Sequence, residues 1–180
     1  MIVDVGTGDG RAVLRRAPAE PRALVIGVDA DAAAVADASR RASRRGPRNA
    51  IFLAEGAERL ATSPLSGAAD LLTITLPWGS LLRGVLGLDE RALDGIAAVL
   101  APAGRLEVLA SVVPTDRVEG LDCLDASSAP AIREAWRTAG LELLSMRPAT
   151  LADLAASGSS WARRLGPDRP VWRLSGRRLG

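Results

Sequence analysis

The chain has 180 residues, 48% of them apolar, and a formal net charge of only +2. That composition predicts one globular domain over residues 1–180, with room for a core. No apolar run approaches the length of a membrane span, and no charged-then-apolar leader precedes the first strand. Cys123 is the single cysteine and histidine is absent, which excludes disulfides, cysteine metal clusters and every Ser-His or Cys-His nucleophile pair, and argues against a zinc or iron site. The expectation is a cytoplasmic, metal-free monomer.

Short apolar runs alternate with helical patterns along the whole chain. Ile2–Val5 reads as a strand, Gly10–Ala17 as a helix, Ala23–Val28 as a strand and Asp31–Arg45 as a helix. Strands are predicted at Ala50–Ala54, Asp70–Leu76 and Arg105–Ala110, with a helix at Leu88–Leu100 before the last of these. A helix at Pro130–Ala139 ends at Gly140, and Leu141–Met146 and Val171–Leu174 supply two closing strands joined through a short helical insertion. This order predicts an α/β fold with a seven-stranded, mostly parallel sheet whose last pair is antiparallel. The first strand has barely four residues before its loop, where a buried central strand usually has more chain ahead of it.

The loop after that first strand is the strongest chemical signal. Val3-Asp4-Val5-Gly6-Thr7-Gly8-Asp9-Gly10 is followed by Val28-Asp29, a strand ending in an acid. Alternating glycines permit a tight turn and close backbone approach, and the acid can accept hydrogen bonds from a ribose diol, as in Rossmann-like nucleoside sites. Such a loop serves dinucleotides or S-adenosylmethionine (SAM). Two details favour SAM: Asp4 lies within the strand, where a carboxylate reaches the cofactor's methionine end, and GTGDG departs from the GxGxxG spacing of pyrophosphate loops. Asp4, Gly6, Thr7, Gly8, Gly10 and Asp29 are therefore the predicted cofactor residues. Ala57 and Glu58, leaving the third strand beside small residues that could frame an adenine ring, join them, as does Leu76 at the end of the fourth strand.

Ligands in open parallel sheets bind at the carboxyl ends of the strands. The fourth strand leads into Leu76-Pro77-Trp78-Gly79-Ser80. Exocyclic amine methylation usually calls for a polar residue at this strand end, yet leucine stands there. A ring nitrogen with a free lone pair needs alignment instead, and an indole can hold a base by stacking, worth about 1–3 kcal/mol per base. Trp78 could equally be a core residue under the sheet edge; its place at a strand terminus before Gly79-Ser80 favours the stacking role. Trp161, in Ser159-Ser160-Trp161-Ala162-Arg163-Arg164, has little obvious core to fill. Two indoles could sandwich an extruded base, with Ser159 or Ser160 bonding its edge or sugar. Trp136 and Trp172 read as structural.

All 23 basic residues are arginine, so their placement carries more information than their type. Arg40, Arg41, Arg44 and Arg45 fall at i, i+1, i+4 and i+5, one arc of a helix. Such a run can be merely a solvated face. No acid follows any of the four at i+3 or i+4, Arg48 continues the patch, and Arg163 and Arg164 form a second cluster, a pattern suited to phosphate contacts.

VDVGTGDG, LPWGSLLRG and SSWARRL, in that order and spacing, resemble the aminoglycoside-resistance methyltransferases that modify N1 of adenine 1408 in 16S ribosomal RNA. The resemblance covers essentially the whole chain. It implies a Rossmann-like class I SAM-dependent methyltransferase that docks on the assembled 30S subunit and flips the adenine between two tryptophans. Trp78 and Trp161 resemble that pair, Pro77 the residue whose carbonyl positions the base, and Ser159 the hydroxyl residue two positions before the second tryptophan. Arg40, Arg41, Arg44 and Arg45 fall where the family carries its rRNA-binding patch. Family members begin with a β-hairpin that this chain lacks, and their patch mixes lysine with arginine. Two rivals remain at this level: a small-molecule SAM methyltransferase, which needs no basic surface, and an rRNA-binding relative impaired in catalysis.

Overall fold

The computed structural model describes residues 1–162, 164–165 and 168–180, with Arg45 described through its backbone alone. The chain runs β1 (Ile2–Val5), α1 (Arg11–Ala19), β2 (Val25–Asp29), α2 (Ala32–Arg45), β3 (Ala50–Ala54), a 3-10 turn at Ala57–Thr62, and β4 (Ala69–Thr75). It continues with α3 (Gly79–Val85), α4 (Glu90–Val99), β5 (Leu100–Ala110), α5 (Ala129–Thr138), β6 (Leu141–Pro148), α6 (Leu151–Ser157) and β7 (Trp172–Arg178). The seven strands form one sheet in the order β3-β2-β1-β4-β5-β7-β6. β7 runs antiparallel to both its neighbours, β5 and β6, and the other pairs are parallel. The seven-strand expectation and its antiparallel close are thus borne out.

The register follows from burial. β1 is buried along its whole length between β2 and β4, so its sequence is an apolar run rather than an alternation. On one face, Val3, Val5, Leu72, Ile74 and Val108 join Leu82, Ile96, Ile132 and Trp136 in the main core. On the other, Ile2, Val25 and Leu71 pack with Val13 and Ala17 of α1. Trp136 is fully buried and its indole N–H donates to the Val85 carbonyl at 2.8 Å, which ties α5 to α3 while satisfying the one polar atom of the ring.

Helix starts obey local chemistry. Asp31 accepts the amides of Ala33 and Ala34 at the head of α2, and Asp89 accepts that of Ala92 at the head of α4. Thr150 and Asp153 form a reciprocal cap on α6. Asp153 is further gripped by Arg147 of β6 and Arg173 of β7. The Arg147 and Thr150 donors hold its carboxyl well below the usual carboxylate range. Among the described residues no helix is long and apolar enough to cross a membrane.

Two elements differ from the sequence reading. Gly79–Val85, for which no element was read, forms the extra helix α3, and β5 begins at Leu100, where the α4 pattern was expected to end, rather than at Arg105. A seven-residue helix between two glycines has too few turns to show a period.

Candidate active site

The chain travels outward from β1 to β3 on one side and from β4 onward on the other, so strand order reverses between β1 and β4. A cleft of about 530 Å³ opens there, at the carboxyl ends of the strands. Asp4, Gly6, Thr7, Gly8, Asp29, Ala57, Glu58 and Leu76 all line it, together with Pro77, Trp78, Ser159, Trp161 and Arg164. Segments far apart in the chain therefore converge on one cavity.

The floor is the glycine loop. Gly8 has φ +55° and open space where a Cβ would stand, so the backbone can come close to a bound group. Its amide donates to Asp29 Oδ2 at 2.7 Å, and the Asp31 amide donates to Asp29 Oδ1 at 2.9 Å. Asp29 thus fastens the loop to the end of β2, and each oxygen keeps a lone pair for a ligand. Gly10 requires a correction. It does not line the cleft; a Cβ there would sit 2.6 Å from the Phe52 ring and 2.7 Å from Ala38 Cβ. With φ +69° at the head of α1, it is a packing glycine that lets the helix start against β3 and α2.

Asp4 is buried, and Thr73 Oγ1 donates to its Oδ1 at 2.8 Å. Desolvation pushes its carboxyl up, and the Thr73 hydroxyl only partly opposes this. Thr7 Oγ1 is buried and has no hydrogen-bond partner among the described residues. A buried carboxylate and an orphaned hydroxyl side by side suit a polar, cationic ligand, because each gains what the fold withholds. The residues present fit the methionine end of SAM in this respect. On the opposite wall the Ser80 hydroxyl holds the Glu58 carboxyl below its ordinary range.

The rim carries the aromatic groups. Leu76 adopts φ +50°, a strained conformation for leucine, at the turn that swings Pro77 and Trp78 away from β4. Trp78 is 56% exposed and Trp161 is 55% exposed, whereas Trp136 is 0% exposed. Those values separate the cleft indoles from the core one. Ser159 Oγ accepts the amides of Trp161 at 3.1 Å and Ala162 at 3.4 Å, so this hydroxyl shapes the turn that presents the second indole.

Three residues that sequence reasoning missed stand outside the cleft lining but beside the Trp78 ring. The Arg169 guanidinium lies 5.7 Å from the centroid of the Trp78 ring. Its Nε donates to Ser111 Oγ at 2.9 Å and it pairs with Asp116. Burial alone would push the Asp116 carboxyl up; the Arg169 guanidinium and the Val113 amide outweigh it and set it below the usual range. Nothing local in the sequence marks this triad, since Ser111 and Asp116 follow β5 and Arg169 precedes β7, strands that are neighbours in the sheet but far apart in the chain.

Arg40, Arg41 and Arg44 are exposed on α2. Arg40 pairs with Asp37 one turn earlier, an acid that a search in the forward direction passes over. An exposed pair of this kind contributes little to stability and yields readily to a phosphate. Arg41 donates to the Asp9 carbonyl, linking α2 to the glycine loop. The Arg45 side chain and Arg163 lie outside the described residues; Arg164 is exposed at the cleft.

Sheet order, glycine loop, strand-end acid and a cleft walled by exposed indoles define a Rossmann-like SAM-dependent methyltransferase. The family model described as NpmA, 16S rRNA (adenine(1408)-N(1))-methyltransferase, matches residues 1–177. A 16S rRNA (adenine(1408)-N(1))-methyltransferase of Streptoalloteichus tenebrarius is 37% identical, the alignment covering 94% of this chain and 81% of that protein. The crystal structure of a variant 16S rRNA (adenine(1408)-N(1))-methyltransferase from Catenulisporales acidiphilia, with cosubstrate SAM, superposes with a TM-score of 0.86 at 30% identity, covering 99% of this chain and 85% of that one. The aminoglycoside resistance methyltransferase NpmB1 superposes at 0.78 with 34% identity, over 99% of this chain and 86% of that one. The chain belongs to the 16S rRNA (adenine(1408)-N(1))-methyltransferase family.

Proposed function

We propose that this protein uses SAM to methylate N1 of adenine 1408 in 16S rRNA within the assembled 30S subunit, and so confers aminoglycoside resistance. The observation that carries the reading is the pair of half-exposed indoles, Trp78 and Trp161, on the rim of the same cleft as the glycine loop and Asp29. When bound, SAM supplies a methyl group activated by a positively charged sulfur.

Asp29 and the Gly8 backbone hold the nucleoside end, Ala57 and Glu58 flank the ring, and Asp4 with Thr7 meets the methionine end. Trp78 and Trp161 grip the extruded adenine, and the buried turn at Leu76 and Pro77 sets its depth. N1 of adenine carries a free lone pair, so no residue has to withdraw a proton before the transfer. Catalysis then rests on alignment and on excluding water from the cleft. Arg40, Arg41, Arg44 and Arg164 contact rRNA phosphates as a charged rim around this opening. The reading needs one copy of the chain and calls for no metal.

A methyl group on N1 blocks the pairing edge of adenine, so reverse transcription halts beside it. Primer extension on 16S rRNA from cells making this chain is expected to stop at adenine 1408 and nowhere else in the decoding region. Full read-through from a protein that binds SAM in calorimetry would overturn the assignment.

A further inference from the structure

We propose that Asp9, the acid inside the glycine loop, is a positioning residue that latches the Trp161 turn over the cleft through Ser160. This rests on the function proposed above and names the device that sets the second indole. The loop chemistry leaves Asp9 unexplained, because backbone approach to a cofactor needs glycines on either side of it and makes no demand on its side chain.

The structure gives that side chain three contacts. Asp9 Oδ1 accepts the Arg11 amide at 3.1 Å, which fixes the carboxylate at the head of α1. Asp9 Oδ2 accepts the Ser160 hydroxyl at 3.1 Å, across 151 positions of sequence. The same oxygen lies 3.4 Å from Arg11 Nε. Asp9 and Ser160 both line the cleft.

The Ser160 bond stands alone. Among the described residues it is the only hydrogen bond that ties positions 158–165 to the body of the fold. The other bonds of that segment are local: the Gly158 amide to the Ala155 carbonyl, the Ser159 amide to Ser157, the amides of Trp161 and Ala162 to Ser159, and the Arg164 amide to Trp161. Packing supplies the rest, with Ala162 and Leu165 against Leu76, Leu109 and Val171. Gly158, the left-handed cap of α6, lies so close to α1 that a Cβ would stand 2.7 Å from an Arg15 nitrogen. The turn is thus seated loosely by apolar contacts and fixed in rotation by one charge-assisted bond, one residue before the indole. The Asp9 carbonyl also accepts from Arg41 of the basic helix, so the residue that aims Trp161 is anchored on the surface that meets phosphate.

A latch predicts coupling, whereas a merely structural Asp9 predicts lost SAM affinity. Steady-state methylation of 30S subunits should fall about tenfold in kcat for Asp9→Ala and for Ser160→Ala, with the SAM dissociation constant within about threefold of wild type. The double variant should be no slower than either single one, since both remove the same bond. Asp9→Asn, which keeps an acceptor, should recover most of the rate. Hydrogen exchange supplies a readout independent of catalysis: the amides of Trp161 and Ala162 should exchange about tenfold faster in Asp9→Ala and Ser160→Ala. Additive losses in the double variant, a defect confined to SAM affinity, or unchanged exchange at these amides would each overturn the latch. A wild type that methylates no 30S subunit would refute the functional reading instead, and the exchange comparison would still decide the latch.

Discussion

Replacing Trp78 with alanine separates stacking from folding, and the structure sets both magnitudes. Trp78 is 56% exposed, so less than half of its surface is buried and can be lost on truncation. A tryptophan buries up to roughly 250 Å², so the loss is at most about 110 Å², or about 2 kcal/mol of stability after allowing for a compact unfolded state. The contact of the ring with Arg169 goes as well, but Arg169 stays held by Ser111 and Asp116. Trp136→Ala is the contrast: that ring is fully buried and hydrogen-bonded, so about 3–5 kcal/mol is expected. In catalysis the order inverts. Stacking worth about 1–3 kcal/mol per base corresponds to a loss of about 5- to 160-fold in kcat/KM for 30S subunits. Urea denaturation, SAM calorimetry and transfer of labelled methyl to 30S subunits measure the three quantities separately. SAM affinity should hold within about threefold. A Trp78→Ala protein that methylates 30S subunits within twofold of wild type would refute the base clamp.

Two further substitutions probe the acids. Asp4→Asn removes a carboxylate that burial disfavours in its ionised form, so the SAM-free protein should gain about 1 kcal/mol in denaturation while SAM affinity drops about tenfold or more. Because the raised group must ionise to meet a cationic ligand, wild-type affinity should decline with falling pH from a point above the ordinary carboxylate value of about 3.9, and the variant should show no such decline by calorimetry. Asp153→Asn should cost about 2 kcal/mol, discounted for the partial exposure of Arg147 and Arg173. The folded carboxyl lies below its unfolded value, so this stabilisation is complete above about pH 4 and fades as pH falls. Chemical denaturation at pH 7 and pH 3 should show the gap between wild type and variant narrowing.

Much of the fold could be read directly from the residues. Apolar runs such as Ile2–Val5 and periodic ones such as Asp31–Arg45 report burial through spacing alone, a property of neighbouring positions. The glycine loop and the strand-end acid were legible for the same reason, as left-handed backbone and a fixed offset are local demands. Gly10 shows the limit of that reading. The residues pressing on it, Phe52 and Ala38, come from other elements, so its packing role cannot be told locally from a ligand contact.

Only the tertiary structure decided what holds the two rim indoles in place. Trp136 lies in the interior while Trp78 and Trp161 stand on the rim, and nothing in the residues around those two names Arg169 or Asp9 as a partner. The Arg169–Asp116 and Asp9–Ser160 pairings join positions 53 and 151 residues apart. Such contacts exist because seven strands close in one particular order, and spacing along a chain carries no record of which distant ends a sheet will bring to the same edge.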